Sequence, residues 1–161
     1  MKIAELDNIV CFDVNNIWKF NLVLDKLMPC VVKAVESAPH FNQSSGQVIQ
    51  IFKDNLINLN TKFKLLIGLD LKNNEMTFFC SAFIVEEDRM PVCLIYAIYA
   101  KPGLLIPVAD NTIRYLDNFC AKFKCIKMIF HTEHDKNAFA RLAKKYNWKP
   151  VRTVFERTLE P

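Results

Sequence analysis

The 161 residues are 52% apolar and 24% charged, with a formal net charge of +4. That is enough chain for one domain with a full core, and too apolar a composition for a disordered one. No apolar run reaches the roughly 18 to 20 residues that a membrane-spanning helix needs.

The charge is unevenly spread. Residues 101–161 hold twelve Lys and Arg against six Asp and Glu, and residues 1–100 hold nine against eleven. The C-terminal part can therefore attract an anion such as a nucleotide cofactor or a nucleic acid, or simply present a solvated basic face. The six cysteines, at 11, 30, 80, 93, 120 and 125, form no Cys-x-x-Cys pair, and no spacing among them fits a zinc site. Most sit in apolar surroundings such as FFCSAF and PVCLIY, where Cys is a small hydrophobe. Free thiols predict a reducing, cytoplasmic setting. Glu5, Asp7 and Asp13 in the first stretch do not fit a signal peptide.

In chain order, NIVCFDV (8–14) predicts a first short strand. Asp13 or Asn15 is placed to cap the helix that follows, whose apolar residues Ile17, Phe20, Val23, Leu24, Leu27 and Met28 share one face. Pro29 stops or kinks that helix, with CVVKAVESA as its continuation. Ser44 or Ser45 caps a second helix with Val48, Ile51, Phe52, Leu56 and Leu59 on one side. From Phe63 the period changes to that of strands: FKLLIGLDL, EMTFFCSAFIVEE and PVCLIYAIYA, joined by the turns KNN and EEDRMP, predict an antiparallel meander. The third of these is continuously apolar and therefore central. VADNTIRYLDNFCAKF reads as a helix with Asp110 as cap or first-turn acid. CIKMIF is a strand that must run parallel to PVCLIYAIYA, because a helix separates the two. HDKNAFARLAKKY and PVRTVFERTL close the chain as helix and half-buried strand. The predicted class is α+β, in the order β-α-α-β-β-β-α-β-α-β, with a central βαβ crossover, helices on both faces of a mixed sheet and one domain over residues 1–161.

That order, together with IYAIYAKP and the closing HDKNAFARLAKKYNWKPVRTVFERTL, resembles the GNAT acyl-CoA N-acyltransferases. In that family the last helix ends at a Gly-aromatic pair. Here Asn147-Trp148 takes that place, and Asn is second to Gly in the left-handed region past a helix end. Small proteins of this kind are also similar to some encoded by bacteriophages. The resemblance implies acetyl transfer from acetyl-CoA to an amine on a small molecule or protein. It also implies a non-catalytic alternative, a structural, assembly or particle-associated protein with a protein partner.

The resemblance further implies that the cofactor's arm lies in the gap between the central strand and its parallel neighbour. It would pair there with the backbone of Ile98, Tyr99 and Ala100, while Gly103 and Leu104 lead to the helix N-terminus that takes the pyrophosphate. The family's loop there is basic and glycine-rich. This chain reads GLLIPVAD, with Gly103 as its one glycine, Pro107 lacking an amide donor and Asp110 adding negative charge. Leu104, Leu105 and Ile106 are the residues most able to fill the gap. Ala143 stands where many members carry an acidic Tyr, and Tyr146 lies almost a turn away, on a different face.

The dense polar cluster His131, Glu133, His134 and Asp135 supplies the candidate general base, Glu133 or His131. Read as structure, Asp135 caps the last helix and the rest are loop polars. Two His three apart in a loop make a weak metal signal, so no metal is predicted. Glu86, Glu87 and Asp88 form an acidic hairpin tip, solvated or receiving a cationic acceptor. Tyr96 and Tyr99 are three apart on a strand and are expected on opposite faces. Either packs in the core, and Tyr99 is the candidate acid. Lys144, Lys145, Lys149, Arg152 and Arg157 with Trp148 and Phe155 make a basic region, but no nucleic-acid motif accompanies it.

Overall fold

The computed structural model describes residues 2–6, 8–38, 42–130 and 143–148. Its elements are β1 (Lys2–Leu6), β2 (Ile9–Asp13), α1 (Ile17–Glu36), α2 (Ser45–Ile57), β3 (Phe63–Asp70), β4 (Glu75–Glu87), β5 (Met90–Ala100), α3 (Leu105–Lys122) and β6 (Lys127–Phe130). The strands form one sheet in chain order, β1-β2-β3-β4-β5-β6. Every neighbouring pair is antiparallel except β5 and β6, which the α3 crossover makes parallel. The expected meander and βαβ unit are both present. β1 was not expected: KIAEL has few β-preferring residues, and its pairing with β2 makes it a strand.

Alternation along the strands feeds two cores, one on each face of the sheet. On one face α1 and α2 bury Phe20, Leu27 and Phe52 against Leu65, Ile67 and Phe79. On the other, α3 buries Val108, Leu116 and Phe119 against Leu66, Phe78 and Cys80. Each such fully buried side chain stabilises the fold by about 1.5–3 kcal/mol.

The helix ends correct several sequence expectations. The cap of α1 is Asn16, whose side chain accepts from the Lys19 amide at 2.9 Å. Asp13 is instead buried, accepting from Lys64 Nζ at 2.9 Å and from the Tyr115 hydroxyl at 2.6 Å. α1 runs through Pro29 to Glu36. Pro29 lies on the exposed side, where water can reach the carbonyl that its missing N–H leaves unpaired. Ser44 caps α2 in a reciprocal capping box with Gln47. Leu59, expected inward, is 71% exposed because it takes the left-handed position past the helix end (φ 49°). α3 starts at Leu105, so Asp110 is in its second turn and caps nothing. Pro107 fits because a first-turn residue has no intrahelical donor to lose.

Of the predicted closing helix, Ala143–Lys145 are described and helical. His131, Glu133, His134, Asp135 and the closing strand lie outside the described residues. Among the described residues no helix is long and apolar enough to cross a membrane.

Candidate functional site

The site is organised by an irregularity in β5. Its pairing with β4 shifts between Ser81↔Ala97 and Ala82↔Ile95, which leaves Tyr96 as an extra residue, a β-bulge. The buried Ser81 hydroxyl fills the break. It donates to the Ala97 carbonyl and accepts from the Ala97 amide, both at 3.2 Å. The parallel pairing of β5 with β6 covers Val92 to Ile95, so among the described residues it ends one residue before the bulge.

Past the bulge, the ladder phase decides which backbone groups are open. The Lys101 amide donates to the Thr77 carbonyl at 2.8 Å. Antiparallel pairs alternate between bonded and non-bonded. Tyr99 is therefore a bonded partner of Phe79, while Ile98 and Ala100 turn their N–H and C=O groups away from β4, toward the β6 side. Of the three residues expected to present backbone to a cofactor arm, the register orients Ile98 and Ala100 that way and Tyr99 the other.

Beside Ile98 lies a small apolar pocket of about 40 Å³. Ile95 and Ile98 of β5, Ile113 and Leu116 of α3, and Phe130 of β6 form its walls, with Tyr146 and Trp148 closing it. Trp148 arrives by the ending that the sequence anticipates. Asn147 is left-handed (φ 55°), and the Trp148 amide donates back to the Ala143 carbonyl at 2.8 Å, a Schellman closure. The indole then packs on Phe130, ring centres 6.2 Å apart.

Tyr146, unlike Ala143, lines the pocket. Its hydroxyl donates to Asp110. Lys145 Nζ donates to the same carboxylate at 2.7 Å. The Lys145 ammonium and the Tyr146 hydroxyl hold Asp110 below the usual carboxylate range. Burial and the Asp110 charge push the Tyr146 phenol up. The negative charge expected to repel an anion at α3 is thus already paired.

At the start of α3, Gly103 is left-handed (φ 83°) with open space where a side chain would be. Leu104 occupies the cap position without a side-chain cap, and its amide donates to the Lys101 carbonyl at 3.0 Å. The first-turn amides of Leu105 and Ile106 have no intrahelical partner, and Pro107 has none to offer.

Tyr96 and Tyr99 share a face of the sheet, contrary to strict alternation, because the bulge adds one residue between Ile95 and Ala97. Both pack against the α1/α2 core. The Tyr96 hydroxyl donates to Gln43 and burial raises its pKa. Tyr99 stacks on Phe79, centroids 6.5 Å apart, with Lys33 Nζ 6.0 Å from its ring. The Tyr99 ring and the apolar pocket are therefore on opposite faces. The acidic hairpin tip is a turn: Asp88 and Arg89 are left-handed (φ 51° and 65°), and Glu87 pairs with Lys127 at 2.6 Å. Ser81 is the site residue that the sequence reading missed, and Tyr146 is one it named but did not place in the site. The signal for Tyr146 was its place beside Asn147; for Ser81 there was only a polar residue inside an apolar strand.

No family model and no curated protein matches the chain. Solved structures do. An aminoglycoside N-acetyltransferase, AAC(6')-Iy in complex with CoA, is 13% identical with a TM-score of 0.63, over 92% of this chain and 98% of that one. The aminoglycoside 6'-N-acetyltransferase AAC(6')-Ih from Acinetobacter baumannii is 10% identical with a TM-score of 0.63, covering 95% and 99%. Glucosamine-6-phosphate N-acetyltransferase from Arabidopsis thaliana is 9% identical with a TM-score of 0.64, covering 96% and 100%. At these identities the likeness is one of architecture: the chain has the GNAT acetyltransferase fold.

Proposed function

We propose that residues 1–161 form one GNAT domain that transfers an acetyl group from acetyl-CoA to an amine. The observation that carries this is the interrupted central strand. The bulge at Tyr96, the end of the described β5·β6 pairing at Ile95 and the outward backbone of Ile98 and Ala100 together leave main-chain donors and acceptors beside an apolar pocket. Such a slot suits an extended arm of amides and methylenes, as an added strand suits an open sheet edge. The amides of Gly103, Leu105 and Ile106 are the donors for a phosphate at the α3 start. They are fewer than a glycine-rich loop supplies, because Leu104 donates to Lys101 and Pro107 has no amide hydrogen. The cofactor, when bound, supplies an acyl group activated as a thioester.

Glu133 is the proposed base that takes the proton from the acceptor amine, with His131 as the other candidate. Tyr99 on the far face is the candidate acid from sequence, and Tyr146 in the pocket is the second. An amine acceptor agrees with the names of the neighbours, which acetylate aminoglycosides and glucosamine-6-phosphate.

A second reading is a non-catalytic GNAT-fold protein serving assembly or interaction, of the kind it resembles in phages. It is favoured by Trp18 and Leu22, one helical turn apart on α1 and 79% and 78% exposed.

Calorimetry and thermal shift with acetyl-CoA separate the two. Binding should raise apparent stability by roughly 2.7 kcal/mol at a hundredfold excess over the dissociation constant. No heat and no shift at millimolar ligand would remove the acetyltransferase reading and leave the second. If binding is seen, Glu133→Gln should lower turnover with affinity intact; unchanged turnover would remove Glu133 as base.

A further inference from the structure

Four of the six cysteines converge where α3 ends against the sheet. Cys80 and Cys93 are buried on β4 and β5, and Cys120 and Cys125 pack against the same core from the last turn of α3 and the loop to β6. All four are free thiols, and Cys120 and Cys125 are partly exposed. The helix ending sets their spacing. Lys124 is left-handed (φ 55°), the Cys125 amide donates to the Cys120 carbonyl at 2.9 Å, and the Lys124 amide donates to the Ala121 carbonyl at 3.1 Å. In this closure the residue after the left-handed one packs back against the last helical turn. Here both residues are cysteines.

Their side chains also interact. Cys93 and Cys125 both bear on the Cys120 thiol. Cys93 above all holds the Cys120 pKa below the ordinary thiol value, against burial and the nearby Asp117 carboxylate. Cys93 moves the other way, raised by its neighbour Cys120 and by burial. Among the described residues no group of three His, Cys, Asp or Glu is arranged to hold a metal ion.

We propose that Cys120 and Cys125 form an oxidative modification site, in which a hydroperoxide oxidises Cys120 and Cys125 captures it as an intramolecular disulfide. The Cys120 thiolate attacks the peroxide, the O–O bond breaks, the alcohol or water leaves with a proton, and Cys120 becomes a sulfenic acid. Cys125 then loses its proton and its sulfur attacks Cys120. The S–O bond breaks, and the hydroxide leaves with that proton as water. The two thiols lose two electrons and the peroxide gains them. Cys93 is wholly buried in β5, in the core that Cys120 and Cys125 pack against. The ring from Cys120 to Cys125 closes within one helix end and moves no strand.

The test is peptide mapping of the reduced, folded full chain after stoichiometric hydrogen peroxide, without reductant. Trypsin cuts at Lys122 and Lys124, so the peptides of Cys120 and Cys125 stay joined only if a disulfide links them. That linked pair is the expected product, absent when the chain is oxidised in denaturant at equal dose. Cys125→Ser should trap Cys120 as a sulfenic acid that dimedone labels, and Cys120→Ser should abolish both label and link. A Cys93–Cys120 link in the wild type, a Cys93–Cys125 link in Cys120→Ser, or no oxidation of Cys120 in the folded wild type would each overturn the proposal.

Discussion

Ser81 is a single hydroxyl on which the geometry of the central strand depends. Wholly buried, it both donates to and accepts from the backbone of Ala97 at the place where the ladder slips. Ser81→Ala leaves both backbone groups buried without partners, and should cost about 1–3 kcal/mol in urea denaturation. If the Ile98–Ala100 backbone binds acetyl-CoA, the same change should weaken affinity in calorimetry as the bulge relaxes. Asp110 makes a second prediction at this scale. Its pairing with Lys145 and Tyr146 lowers its folded pKa below the ordinary value of 3.8. A depressed carboxylate contributes its stability fully above that value and loses it as pH falls below it. In a Trp18→Phe background, the emission of Trp148 should therefore hold steady down to about pH 4 and change only below it, and Asp110→Asn should remove that acid transition.

At the scale of the element, turns and helix ends were legible in the sequence where the residue chosen was one that the geometry favours. Asn147 is left-handed as its place before Trp148 suggests, and Ser44 caps α2 because its hydroxyl and Gln47 satisfy each other's amides. Where the residue is not a favoured one, the sequence placed at most a turn and did not show which residue takes the left-handed region. Leu59, Arg89 and Lys124 are all left-handed, although a side chain there costs about 1–2 kcal/mol. Arg89 is the second residue of a two-residue hairpin turn, where Asp-Gly is the preferred pair. Arg89→Gly should therefore stabilise the fold by about 1 kcal/mol, read from the denaturation midpoint at constant slope. The Tyr96/Tyr99 expectation failed at this scale too. Strict alternation puts residues three apart on opposite faces, and one inserted residue put them on the same one.

For the whole molecule, the sheet order and the two-sided cores make α3 the hinge between fold and candidate site. Its C-terminal end gathers the thiols, its middle walls the apolar pocket, and its N-terminal end carries the free amides. Leu116 is wholly buried and touches both the pocket and the sheet core. Leu116→Ala should cost about 2–5 kcal/mol in thermal or chemical unfolding, because the pocket enlarges and the surroundings collapse only in part.

The sequence by itself determined which stretches are helix and which are strand from Phe63 to Phe130, the parallel return of β6, and the aromatic closure at Trp148. Those follow from periodicity, connection length and local backbone preference, which the chain carries within a few residues of each position. Only the tertiary structure decided that KIAEL pairs as β1, that β5 bulges at Tyr96, that Ile98 and Ala100 rather than Tyr99 turn their backbone to the open side, that Tyr146 meets Asp110, and that Cys93, Cys120 and Cys125 gather against one core. Each of these depends on how a strand registers against its neighbour or how a helix end seats on the sheet. Register is set by partners far away in the chain, and a slip of one residue exchanges the faces of everything beyond it.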